Sequence, residues 1–204
     1  MGPRRILLAV ALLALTAGAP APAPDPAAAP AVTAADRVLG RADAPVTVIE
    51  YASFACPHCA DWHTFVYPEF KRRLIDTGQV RYVFRNLPTP PEEMSLPAAS
   101  LAHCAAPARF FDVAASLMHG QQAVRYGGTL DAWYAPAVAA SGRTRAQIDA
   151  CVTTPATRAA INADINGATA AGINTTPAFV VNGRIVPDHT LGGLETAVRA
   201  AAAR

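Results

Sequence analysis

"EYASFACPHCADWHTF", residues 50–65, sets Cys56 and Cys59 two residues apart, directly after an apolar run and at the head of an amphipathic one. Upstream, "VTVIEYAS" (46–53) is rich in β-branched residues and predicts a buried strand. Downstream, Trp62, Phe65, Val66, Phe70 and Leu74 recur at helical spacing and predict a helix from Pro57 to about Thr77. Pro57 suits the first helical turn, where its missing N–H has no partner to lose. Pro68 falls inside the run and predicts a kink or break, and Gly78 predicts the stop. "VRYVFRNLP" (80–88) follows as a second strand, so the order strand, helix, strand predicts a parallel crossover.

Two cysteines at this spacing could staple the chain, hold a metal or pass electrons. A zinc site would draw on Cys56, Cys59 and His58 or His63, but no second ligand pair at finger spacing follows. A c-type haem site needs His directly after the second cysteine, where this chain has Ala60. A disulfide closing so short a loop constrains the unfolded chain only weakly. Redox chemistry has a direct physical reason at this place, because the unpaired N–H groups and the positive dipole end of a helix stabilise a thiolate. Cys56, just outside the helix, is then the exposed nucleophile, and Cys59, one turn along, the inward resolving thiol. Pro57 stiffens the turn, His58 adds a donor or a positive charge, and the pair is pushed toward the oxidising side. His63, His103, His119 and His189 have no comparable partners and read as structural or exposed.

The 204-residue chain is 52 % hydrophobic, enough for one well-buried domain and too apolar for a disordered one. It opens with Arg4 and Arg5, an apolar stretch from Ile6 to Leu15 and then small residues, the layout of a secretory signal peptide. Cleavage after Ala19 or after a later small residue such as Ala31 is compatible with it. From Pro20 to Pro30 the chain is almost only Ala and Pro, an extended leader with no core of its own. Removing Arg4 and Arg5 leaves 15 basic against 15 acidic residues, so no basic surface is left for nucleic acid. Export makes disulfides persistent, and the four cysteines (56, 59, 104, 151) allow three complete pairings.

Residues 92–165 are Ala-rich, carry helical patterns and show no convincing strand; a stretch of that length predicts an all-helical insert rather than a loop. "PAFVVNGRIVP" (177–187) restores the strand signal with Asn182-Gly183 as a two-residue hairpin turn, and "LGGLETAVRAAA" (191–202) closes as a helix. The expected organisation is a leader over 1–31, an α/β thioredoxin-like domain in two parts, 32–91 and 166–204, and the helical insert over 92–165 between them.

With "VTVIEYASFACPHC" at a strand-to-helix junction, "TTPAFVVNG" downstream and a helical insert between, the sequence resembles the DsbA family of exported thiol–disulfide oxidoreductases from about Asp36 to the C-terminus. The resemblance implies a cis peptide bond before Pro177, with the Thr176-Pro177 loop beside the cysteines, presenting backbone groups to an extended substrate. It makes Thr176 a position that tunes redox poise, and Glu50 a buried acid near Cys59. Burial without a partner favours the protonated carboxyl, which could then exchange a proton with Cys59. Cys104 and Cys151, both in the insert, are expected to form a structural disulfide. The implied protein is a periplasmic monomer that needs no metal or cofactor beyond its own disulfide. It would oxidise reduced exported proteins and be reoxidised by a quinone-coupled, DsbB-like membrane partner. A disulfide isomerase or reductase is the alternative activity, and a thiolate metal carrier the alternative class.

Overall fold

A computed structural model describes Gly2 and residues 30–204. The signal-peptide layout and nearly all of the Ala/Pro leader lie outside the described residues.

Five strands form one sheet in the order β1-β3-β2-β4-β5. They are β1 (Arg37–Leu39), β2 (Val46–Ala52), β3 (Val80–Asn86), β4 (Ala178–Val181) and β5 (Arg184–Val186). β2 and β3 are parallel, as the crossover requires, and the other neighbours are antiparallel. β2 is central and buried on both faces, which is why its sequence is nearly continuous apolar rather than alternating. Val46, Val48 and Ala52 face the larger core with α1 (Pro57–Phe65) and α8 (Leu191–Ala202). Ile49 and Tyr51 face a smaller core closed by Ala168 and Ala171. Glu50 therefore points, in the middle of the sheet, toward the α1 side.

The helix expected over 57–77 is broken where Pro68 demands it. α1 ends at Phe65, α2 (Tyr67–Phe70) restarts after Val66, and a π-helical turn over Lys71–Ile75 completes the run. Phe65 departs from expectation, being 76 % exposed. The buried face of α1 is Cys59, Ala60, Trp62 and His63. A polar residue sits on the inward face, so apolar spacing alone selected the wrong neighbour of Trp62.

The hairpin forms at Asn182-Gly183, with φ of +43° and +83°, the left-handed pair that a two-residue turn needs. Asn182 also binds the central strand, accepting from the Thr47 N–H at 2.8 Å and donating its own N–H to the Thr47 carbonyl at 2.9 Å.

Between β3 and β4 the chain is helical: α3 (Glu92–His103), α4 (Phe110–Arg125), α5 (Leu130–Ala140), α6 (Arg145–Val152) and α7 (Pro155–Ala170). Thr129, Thr144 and Thr154 cap three of these helices, and Thr144 forms a full capping box with Gln147. The boundary expected at 165 falls inside α7, which runs on to Ala170 and packs on β3. One uninterrupted helix belongs to both the insert and the sheet layer. Cys104, at the end of α3, is bonded to Cys151 on α6, with the Cα atoms 5.9 Å apart.

Candidate active site

Cys56 occupies the N-cap of α1 with extended backbone (φ −79°, ψ 120°), and Pro57 is the first helical residue. Cys56 is 7 % exposed and Cys59 0 % exposed, so the thiol expected to be exposed is itself nearly covered; the two are free thiols. The turn that carries them is fastened by Ser53 and by Gln121. Ser53 accepts the Cys56 N–H at its carbonyl (3.1 Å), and its hydroxyl binds the N–H of Ala55 and both the N–H and hydroxyl of Thr89. Gln121, buried on α4, donates from its amide nitrogen to the carbonyls of Phe54 (2.5 Å) and Cys56 (3.0 Å). The helical insert thus reaches into the cysteine turn itself.

The peptide bond between Thr176 and Pro177 is cis, and this loop lies against Cys56, whose thiol meets the Thr176 carbonyl at 3.4 Å. A second cis bond joins Pro90 and Pro91, for which the sequence offered no expectation. The Cys56 thiol is lowered to about 5. The hydrogen bond with the Cys59 thiol is the main cause, burial opposes it, and the Thr176 side chain and the backbone N–H groups of Cys59 and His58 add to the lowering. Thr176 thus meets the sulfur twice: its carbonyl accepts from the protonated thiol, and its side chain favours the thiolate. His58 is exposed, and it acts on the sulfur through its backbone N–H. Burial pushes the Cys59 thiol well up, helped by Cys56 and by the charge of Glu50.

Glu50 is fully buried, but it is not the unpaired acid expected from sequence. His63 Nε2 lies 3.2 and 3.1 Å from its two carboxylate oxygens, and the Tyr82 hydroxyl donates to one of them. The Tyr82 phenol is pushed well up, by burial first and by Glu50 next, so it remains a donor. Tyr67, its phenol raised chiefly by burial, lies tilted against the His63 ring with the centroids 5.0 Å apart. Beneath Cys59 there is therefore a polar island of Glu50, His63 and Tyr82 inside an aromatic wall that includes Trp62, Phe70 and Phe84.

His63, Tyr82 and Gln121 are the residues that sequence reasoning missed. His63 carried a usable signal, since four residues after Cys59 it shares that helix face. Tyr82 and Gln121 carried none, because strand pairing and a 65-residue separation bring them in. Among the described residues no group of three or more His, Cys, Asp or Glu side chains is placed to hold a metal.

A family described as Thioredoxin matches residues 32–200 of this chain. A "Putative protein-disulfide oxidoreductase" of Rickettsia bellii is 41 % identical over 69 residues, 34 % of this chain and 26 % of that protein. "Disulfide bond formation protein D" of Bacillus subtilis is 40 % identical over 50 residues, 24 % of this chain and 22 % of that protein. The matched stretches thus span about a quarter of these relatives' length. Among solved structures, alpha-DsbA1 of Wolbachia pipientis aligns with a TM-score of 0.74 at 24 % identity, over 84 % of this chain and 93 % of that one. BdbD from Bacillus subtilis gives 0.76 at 19 % identity, over 88 % and 100 %. Both likenesses are of fold, and they extend through the helical insert.

Proposed function

The chain belongs to the thioredoxin family, and from that premise we propose that it is an exported thiol–disulfide oxidase working through Cys56 and Cys59. The observation that carries this reading is the polarised pair, a thiolate-favouring Cys56 at a helix start next to a sealed Cys59 that resists ionisation.

In the oxidised enzyme a substrate thiolate attacks the Cys56 sulfur. The bond between Cys56 and Cys59 breaks, its electron pair passes to Cys59, and Cys59 takes a proton to become a thiol. Glu50 serves as the relay for that proton, with His63 and Tyr82 holding it in place beneath the pair. A second substrate thiolate then attacks the substrate sulfur of the mixed disulfide, and Cys56 leaves as a thiolate. The substrate loses two electrons and gains a disulfide; the enzyme ends as the dithiol. A leaving thiol lowered to about 5 makes this direction favourable, because the reduced enzyme is the stabilised form.

The cis Thr176-Pro177 loop supplies the backbone that aligns an extended substrate beside Cys56. The substrates are reduced exported proteins, the site is periplasmic, the enzyme acts as a monomer without metal or cofactor, and a quinone-coupled, DsbB-like membrane protein restores the disulfide. The signal-peptide layout and the resemblance support export and that reoxidant.

Equilibrium redox titration of the pair against glutathione tests the reading. A potential well above that of thioredoxin, together with complete loss of substrate oxidation in Cys56→Ser, is the expected result. A thioredoxin-like potential with rescue of scrambled disulfides assigns the chain to the isomerase or reductase activity instead.

A further inference from the structure

Arg85, on β3, is a 4 % exposed guanidinium with all five N–H groups engaged. Nε donates to Asp36 Oδ1 at 2.8 Å and Nη2 to Asp36 Oδ2 at 3.1 Å. Nη1 donates to the Tyr51 hydroxyl at 2.9 Å. The remaining two N–H groups go to the main chain ahead of the fold: Nη1 to the Pro30 carbonyl at 2.9 Å and Nη2 to the Ala31 carbonyl at 3.0 Å. An independent contact fixes the same segment. A Cβ placed on Gly167 of α7 would meet Pro30 Cγ at 3.2 Å, so Pro30 seats where that helix has no side chain. Val32, next in line, packs on the smaller core with Ile49 and Val180.

We propose that Pro30 and Ala31 form a permanent clasp of the mature protein, closed by Arg85, and that the cut releasing the leader lies N-terminal to Pro30. The placement of the cut rests on the export reading above; the clasp does not. In the cut, a leader peptidase hydrolyses one peptide bond with one water. Among the positions compatible with the sequence, cleavage after Ala31 is disfavoured. It would remove both carbonyls, orphan two of the five donors of a buried guanidinium and put the new α-ammonium of Val32 beside that cation. Cleavage at an earlier small residue such as Ala19 leaves every partner in place.

Intact-mass analysis of the full chain, expressed with its own leader in a Gram-negative host, reads the cut directly. The expected mature protein begins at or before Pro30. Chains begun at Ala27 and at Val32 are then compared by denaturant unfolding. The Val32 chain is expected to show an unfolding constant raised about tenfold or more, and Arg85→Lys to shrink that difference, since an ammonium cannot replace a five-donor fork. A mature protein beginning at Val32, or equal unfolding of the two truncated chains, overturns the proposal. An uncut chain overturns the export reading and with it the placement of the cut, while the truncation pair still decides the clasp.

Discussion

At the residue scale the chemistry is set by two thiols held in opposite environments. The folded Cys56 thiol, about 5, lies below its ordinary value of 9.0. Its stabilisation of the reduced protein is therefore fully present above about 9 and lost as pH falls through about 5. The oxidised protein has no such group. The melting temperature of the reduced form minus that of the oxidised form should accordingly rise across this window and level off below it. Over the same range reduction takes up one proton for two electrons, because Cys59 stays a thiol, and the potential should fall by about 30 mV per pH unit. A slope of about 60 mV in that range would mean that Cys56 is protonated and the reading of the site is wrong. Glu50 and His63 make a separate case. Glu50→Gln should slow formation of the mixed disulfide about tenfold to a hundredfold while leaving the Cys56 titration midpoint in place. His63→Phe strips the buried Glu50 carboxyl of a hydrogen-bond partner and should cost about 2 kcal/mol of stability, with His63→Gln recovering much of it. Stopped-flow kinetics and urea unfolding measure the two effects.

At the element scale, α1 shows what sequence periodicity resolves and what it does not. Its start at Pro57 and its break before Pro68 were legible, because both follow from the missing proline N–H. Its buried face was not, because His63 counts as polar in any hydrophobic pattern and becomes a core residue only through Glu50 on β2. The same limit applies to α4, whose Gln121 reads as a surface amide and instead holds two carbonyls of the cysteine turn. The bond between Cys104 and Cys151 ties α3 to α6 across 47 positions. Closing a loop of that length stabilises the fold by about 4 kcal/mol in the chain-entropy account. Replacing both residues with Ser should lower the unfolding free energy by an amount of that order, and an unchanged melting temperature would remove the structural role. Substrate oxidation by Cys56 and Cys59 should persist in that variant at temperatures where it remains folded.

At the scale of the whole molecule, α7 joins the insert to the sheet, and its Asp164 is the titratable contact between them. The carboxylate accepts the Asn86 backbone N–H at 2.9 Å and its side-chain amide at 3.3 Å, and burial nevertheless pushes its value up to about 6. A raised carboxyl contributes stability that is complete below its unfolded value of 3.8 and lost as pH rises through about 6. Asp164→Asn keeps an acceptor for Asn86 and carries no charge. It should be more stable than the parent at pH 8, by up to about 3 kcal/mol, and show no advantage at pH 4; chemical unfolding at the two pH values checks this.

What the sequence alone determined was local: the strand into Cys56, the capped and broken helix after it, the Asn182-Gly183 turn, the helical character of the insert and the chemistry of two cysteines at a helix start. Each depends on neighbours within about one turn or one hairpin, where residue type dictates backbone geometry. The tertiary structure alone decided which side chains meet across long separations. It gave Glu50 its partners, brought Gln121 to the Cys56 carbonyl, carried α7 past the expected boundary and closed Arg85 on Pro30 and Ala31. The physical reason is that a buried polar group must find its hydrogen bonds wherever packing places a partner, and spacing along the chain does not record that choice.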